Sequence, residues 1–404
     1  MEKKKQSRLP VDQESDDLIF AVCERFFKRI VSAPKDNVSG KKGDRGRRDR
    51  AIGAAAVAEE ISKEFNRDDI NRERIYPLLW EAINREFLVM NVPAHVKLQD
   101  KLIKKFKLRD YLDQNNGEII VTNSSVGNLT EHVNSKAADV IISLIDLVSK
   151  EKKNQGLSGD SDAARVHLGF GAGSAAEKVA KKLSVRAGSN SPKLMFHALT
   201  SGGQYLEGQQ KAPTTYFSFF DEEVHDAKFV GMFTPTAVLK EEFETLKHNP
   251  SYQFVRNLRH DVDILVTSLA WAEDKHGLLK KYYEDLIKYN LVRENVLEDL
   301  KKEGWVGDVM FLPYSTEKAI ESQILRPVTL FNFNELCEFS KQPGKYVIIT
   351  CSPCNDCNQR KTEAIRPLLE NPNLRMWTHL IIDRPTAEDL VGESFSEDEV
   401  SGNI

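Results

Sequence analysis

The chain has 404 residues, of which 40% are hydrophobic and 29% charged, and its formal net charge is -4. That length suits two or three domains with at least one large core, and the balance is that of a globular protein. No apolar run approaches the roughly 20 residues of a membrane span, the N-terminus lacks the apolar stretch of a secretory signal, and five cysteines do not read as a disulfide scaffold. The expectation is a cytoplasmic protein in which any pull toward nucleic acid is local rather than global.

In chain order, residues 1–17 are polar, and Leu18, Ile19, Val22, Phe26, Phe27 and Ile30 form the apolar stripe of a helix predicted over Asp17 to Val31. Residues 35–50 are basic and glycine-rich, the composition of a solvated linker or of an arm that touches phosphates, with Arg47 and Arg48 near its end. Ala54, Val57, Ala58, Ile61 and Phe65 then mark one helix, NRDDI a turn, and Ile75, Leu78, Leu79 and Ala82 a second helix. A short strand or wing follows over Phe87 to Val92. That succession is the plan of a winged helix-turn-helix, whose second helix enters a DNA major groove; a helical dimerisation domain is the plainer alternative. Pro77 would limit the second helix unless it begins near Tyr76.

Further on, a strand is predicted at Ile119 to Thr122 and a long helix at Leu129 to Val148. Val166, Leu168 and Phe170 then lead into glycines at 169, 171 and 173, and Ser174 opens a helical pattern. A strand, a glycine loop and a helix N-terminus direct backbone N–H groups and the positive helix end at one point, which suits an anion and above all a phosphate. An ordinary β-to-α turn gives the same pattern. Strands follow at Leu194 to Leu199 (ending in Thr200, Ser201 and Gly202), Thr215 to Phe220, Asp263 to Thr267, Tyr346 to Thr350 and Thr378 to Ile382. Helices are predicted to begin near Arg360 and Pro385. This alternation implies a mostly parallel sheet covered by helices, with ligands at the C-terminal strand ends.

Several chemistries lack their residues. The loop has no Walker lysine, and Ala175 stands where a dinucleotide fold wants its third glycine. Cys351, Cys354 and Cys357 lack a fourth cysteine or a histidine nearby in sequence, short of a closed metal set. There is no H-E-x-x-H and no G-x-S-x-G. His167 and His197 read as core histidines, and Asp221 to Glu223 as the acidic start of a helix.

Taken in order, the motifs resemble those of bacterial transcriptional regulators of the SorC/DeoR type, from about Ala51 to Val391. The loop Gly169-Phe170-Gly171-Ala172-Gly173-Ser174 is similar to the family's glycine-rich, Ser/Thr-bearing loop. Gly304-Trp305-Val306-Gly307-Asp308 is similar to its V-G-D element. Arg360-Lys361-Thr362-Glu363-Ala364-Ile365 looks like the segment whose lysine reaches the ligand phosphate, and Leu380 to Leu390 resembles its closing motif. The resemblance implies an α/β protein with an N-terminal winged helix-turn-helix and a mostly parallel, helix-covered sheet like that of sugar-phosphate isomerases. Its implied parts are an N-terminal helix and flexible basic loop (1–50), a winged helix-turn-helix domain (51–110), an effector domain (111–392) and an acidic tail (393–404).

The implied function is that of a DNA-binding regulator, not an enzyme, whose effector domain binds a sugar phosphate or related small metabolite. A homodimer or homotetramer, with no cofactor and no metal, goes with it. Ligand contact is expected at Gly171, Gly173, Ser174, Thr200, Ser201, Gly202, Asp308 and Lys361, and DNA contact at Arg72, Arg74, Arg47 and Arg48. The alternatives are an isomerase- or deaminase-like enzyme with Asp308 or Glu222 as base, and a non-catalytic interaction protein that keeps the fold.

Overall fold

The computed structural model describes residues 10–32, 53–85, 87–88, 92–124, 127–157, 159, 161–187, 191–201, 209–220, 225–292, 295–321 and 324–392. The chain divides into two compact units, Met1–Met90 and Asn91–Ile404.

In the first unit, α1 (Asp16–Ser32), α2 (Ala54–Glu64) and α3 (Arg72–Asn84) pack on one another. Residues three and four apart on each helix supply its core: Leu18, Ile19 and Val22 from α1, Val57, Ala58 and Ile61 from α2, Ile75, Leu78 and Ala82 from α3. The Asn71 side chain caps α3 by accepting from the Arg74 N–H at 3.1 Å. The helix therefore starts at Arg72 rather than near Tyr76, and Pro77 lies inside it on the exposed side. Two boundaries also differ from expectation. The N-terminal helix belongs to the same bundle as α2 and α3, and α4 (Val96–Lys105) packs in the second unit, so the chain divides near residue 90 rather than at 50 and 110. At 87–88 the backbone bends rather than running as a strand. Residues 89–91 of the expected wing, Arg47, Arg48 and the acidic tail lie outside the described residues.

The second unit alternates strand and helix. Its first half holds β1 (Glu118–Thr122), α5 (Leu129–Asn154), β2 (Val166–Phe170), α6 (Ser174–Arg186), β3 (Leu194–Ala198), β4 (Ala227–Val230) and β5 (Ala237–Leu239). Then come β6 (Ile264–Trp271), α7 (Leu278–Lys288), β7 (Gly307–Val309), β8 (Leu312–Tyr314), β9 (Leu325–Pro327), β10 (Tyr346–Cys351), α8 (Thr362–Glu370), β11 (His379–Asp383) and α9 (Arg384–Val391). The main sheet runs β1-β11-β10-β6-β2-β3-β4, every one of these pairs parallel, and the antiparallel β7 and β8 extend from β6. Alternate residues of each central strand enter opposite cores. On β6, Ile264 and Val266 face the α5 and α6 side, and Leu265 and Leu269 face the α4, α8 and α9 side. A strand buried on both faces must be apolar throughout, which is why these segments read as runs rather than as alternations.

Two expected strands differ. Residues 213–219 form a short helix (Pro213–Tyr216) and a 3-10 turn (Phe217–Phe219), not a strand. Pro213 at the first helical position and an aromatic cluster, with Phe196 and Phe220 ring centres 4.1 Å apart, override the strand preference of Thr-Thr-Tyr-Phe. Strand β6 continues to Trp271 because β7 pairs with its last turn of chain, Leu269 opposite Val309 and Ala270 opposite Asp308.

Candidate ligand-binding site

Strand order reverses between β2 and β6, since the chain adds β3 and β4 on one side and β10 and β11 on the other. A crevice at such a reversal, outside the carboxyl ends of the strands, is the ligand position of open α/β sheets. Here a cleft opens at that place, walled by residues that follow β2, β6 and β10. Four helix N-termini border it: α5 through Thr130, α6 through Ser174 and Ala175, α7 through Gly277 and Leu278, and α8 through its N-cap Lys361. Each contributes a positive dipole end and first-turn amides without intrahelical acceptors.

The glycines have separate tasks. Gly173 has φ +134 and ψ 156, a conformation essentially restricted to glycine. Its N–H donates to the Lys211 carbonyl at 3.0 Å, and the Tyr216 hydroxyl, buried beneath, donates to that same carbonyl at 2.6 Å. Among the donors left at the start of α6, those of Ser174 and Ala175 border the cleft. Gly171 does not line the cleft. A Cβ there would stand 2.6 Å from Thr267 Oγ1 and 3.0 Å from Met310 Cγ, so this glycine lets β2 and β6 close up beneath the site.

Around the opening, the Lys361 ammonium donates to the Leu269 carbonyl at 2.8 Å. Asp308, 5% exposed, reaches the cleft from β7, and burial pushes its carboxyl up to about 7; Lys361 opposes that rise and the Asp274 charge adds to it. The Ser174 hydroxyl accepts from Asn355 Nδ2 at 3.4 Å, which ties the glycine loop to the cysteine loop after β10. Lys211, which stands in no motif, also lines the cleft. Of the expected ligand residues, Gly173, Ser174, Asp308 and Lys361 come together. Thr200 is fully buried in a bridge with Thr329, and the Ser201 hydroxyl lies 3.2 Å from that of Thr236; neither lines the cleft. Gly202 and Glu222 lie outside the described residues.

The cleft has a volume of about 70 Å³. A second cleft of about 810 Å³ is larger, but its basic residues face acids: Arg256 pairs with Glu335 at 2.7 Å and Arg326 with Glu321 at 2.9 Å. The smaller one carries the converging donors. His167 and His197 form a buried pair, Nδ1 to Nε2 3.0 Å, as core histidines do. The cysteine loop has a partner the sequence did not reveal, since His276 Nδ1 lies 3.5 Å from Cys354 Sγ.

In the first unit, Arg72 is exposed at the start of α3, whereas Arg74 is 2% exposed and cannot reach a duplex. Helical spacing puts Arg74 next to Ile75 and Leu78 on the inner side, where its guanidinium meets Glu14 and lies 3.5 Å from Asp69. Arg67 adds a two-pronged pair to Glu14 at 3.0 and 2.9 Å. The exposed side of α3 carries Arg72, Glu73, Tyr76 and Trp80.

No sequence family and no curated protein matches the chain. Solved structures do. The full-length sorbitol operon regulator SorC of Klebsiella pneumoniae superposes with a TM-score of 0.53 at 15% identity, covering 94% of this chain and 100% of that one. A probable sor operon regulator of Shigella flexneri gives 0.51 at 13% identity, covering 73% of this chain and 98% of that one. Both are described as operon regulators. Among the described residues no helix is long and apolar enough to cross a membrane. The chain therefore has the fold of the SorC-type operon regulators.

Proposed function

We propose that the chain is a DNA-binding transcriptional regulator whose second unit binds a phosphorylated sugar or a related phosphorylated metabolite. Occupancy of that site shifts an oligomer between states of different DNA affinity. The observation that carries the reading is the convergence of four helix N-termini and Lys361 on one cleft at the strand-order reversal. Such a site favours a compact anion, and about 70 Å³ is far below the roughly 300 Å³ of a pocket that encloses a drug-sized ligand. A phosphate group therefore sits beside Lys361 and the helix N-termini, and the sugar extends toward Lys211 and Asn355. Thermal unfolding with a panel of sugar phosphates and the matching free sugars tests the assignment, because a ligand of the native state raises its apparent stability. The phosphorylated members should raise the melting temperature and the free sugars should not; a panel without effect removes the reading.

A second reading is favoured by α3. With Arg74 buried, one base remains on its exposed side, beside Glu73, Tyr76 and Trp80. A protein that keeps the effector fold and uses this helix to hold a protein partner would look the same. Ligand binding without any DNA binding would select it.

A further inference from the structure

The geometry points to a divalent metal site, of the kind that holds zinc, built from Asp274, His276, Cys354 and Cys357 in the wall of the ligand cleft. Each residue offers one ligand atom, and the four atoms lie within 4.8 Å of one another. Two of the separations are 3.5 Å, Cys354 Sγ to His276 Nδ1, and 3.7 Å, His276 Nδ1 to Asp274 Oδ1. A tetrahedral ion with Zn–S of about 2.3 Å and Zn–N of about 2.0 Å spaces its donors by roughly 3.3–3.8 Å. The distances to Cys357 can close by movement of that residue, the exposed member of the set.

Both peptide segments are shaped for the task. After β10 the chain folds back on itself: the Cys354 N–H donates to the Gln359 carbonyl at 2.9 Å, and the Asn358 N–H to the Cys354 carbonyl at 2.9 Å. Asn358 takes up the turn at φ +56, so Cys354 and Cys357 stand on one tight loop. After β6, the Asp274 carboxylate accepts from the His276 N–H at 2.9 Å, which fixes the two side chains side by side.

Donor chemistry selects the ion. Two sulfurs, an imidazole and a carboxylate suit zinc, whereas magnesium and calcium require oxygen ligands and iron–sulfur clusters are held by cysteine sets. The thiolate, not the thiol, is the metal ligand, so each cysteine gives up its proton as the cation binds. Binding would release both thiol protons and leave two thiolates and a carboxylate on a doubly charged ion. It would leave the net charge of the cluster unchanged and pin the cysteine loop that reaches Ser174 through Asn355. Metal occupancy would thus set the shape of the ligand site.

The test uses the full-length chain, prepared without a polyhistidine tag and kept under reductant, titrated with cobalt(II). One cobalt per chain should bind with thiolate-to-cobalt charge-transfer absorption and the visible bands of a tetrahedral centre, and zinc should displace it. Cys357→Ser, at an exposed position, and His276→Ala should each abolish those bands, while Cys337→Ser, buried elsewhere against the Asn373 carbonyl, should retain them. Wild-type protein with titratable free thiols and no thiolate–cobalt absorption overturns the proposal, as does an unchanged spectrum in both ligand variants.

Discussion

The Lys361 ammonium donates to the Leu269 carbonyl at 2.8 Å, so the N-cap of α8 is fastened to the far end of β6 although 92 residues separate them. The bond holds a cation at the mouth of the cleft before any ligand arrives, in place of a flexible side chain that must first be ordered. Lys361→Ala should therefore weaken binding of a phosphorylated ligand by roughly ten- to hundredfold, the scale of one charge-assisted hydrogen bond. Calorimetric titration of wild type and variant measures it, and equal affinities would place the phosphate elsewhere.

Gly173 is the residue whose backbone the site depends on. Gly173→Ala forces a Cβ into a conformation that costs about 1–3 kcal/mol and brings it within 3.2 Å of Ser268 Oγ. The expected result is lowered stability in urea together with lost ligand response. Gly171→Ala should also destabilise, through its 2.6 Å clash with Thr267, with the start of α6 left in place.

Asp308 gives the cleft a pH signature. Its carboxyl is pushed from an ordinary 3.8 to about 7 in the folded chain, so between those values the native state holds more protons than the unfolded one, and this group's contribution to stability falls as pH rises toward 7. Buried His197 and His379, lowered to about 3 and about 4, act with the opposite sign: their contribution falls as pH drops below the ordinary histidine value of 6.5. Comparison of urea midpoints for wild type and Asp308→Asn isolates the first effect. The variant should gain on wild type progressively from pH 5 to pH 7 and then level off. A constant difference across that range would show that Asp308 is ionised in the folded chain. The same variant bears on catalysis, because of the two expected bases, Asp308 and Glu222, Asp308 lies among the described residues and lines the cleft; under the regulator reading the variant retains its DNA response.

Arg72 and Arg74 separate DNA contact from architecture. Arg72→Ala should leave the melting temperature unchanged and lower the salt slope of DNA binding by about one. Glu14→Ala should cost about 3 kcal/mol, because it leaves the buried Arg74 with Asp69 at 3.5 Å as its remaining acid in that cluster. Hydrogen exchange over α1 to α3 in the full chain reports it. Unchanged protection would mean that the Glu14 cluster is dispensable.

How legible all this was depended on range. Helices α1, α2, α5 and α6 follow from apolar residues three and four apart, and β2, β3, β10 and β11 from short runs apolar on both faces; both signals are local. The strand, glycine loop and helix start from Gly169 to Ser174 were legible for the same reason. Thr215 to Phe220 misled because strand preference there yields to aromatic packing against Phe196 and to the Tyr216 hydroxyl's bond beneath the glycine loop. Arg74 misled because a charge at the start of a helix reads as exposed until its acid, 60 residues earlier, is seen. His276 and Asp274 were invisible beside the cysteines for the same reason of distance, 78 residues between His276 and Cys354. Lys211 had no local mark at all.

The central claim is that one chain reads a phosphorylated metabolite and answers on DNA. The most direct measurement is fluorescence anisotropy of duplexes flanking the chain's own coding region, titrated with the full-length protein at fixed salt, with and without the sugar phosphate that raises its melting temperature. Salt-dependent binding whose affinity the ligand changes, with that change lost in Lys361→Ala, is the predicted result. Binding to no flanking duplex, or binding that the ligand leaves unaltered, would contradict it.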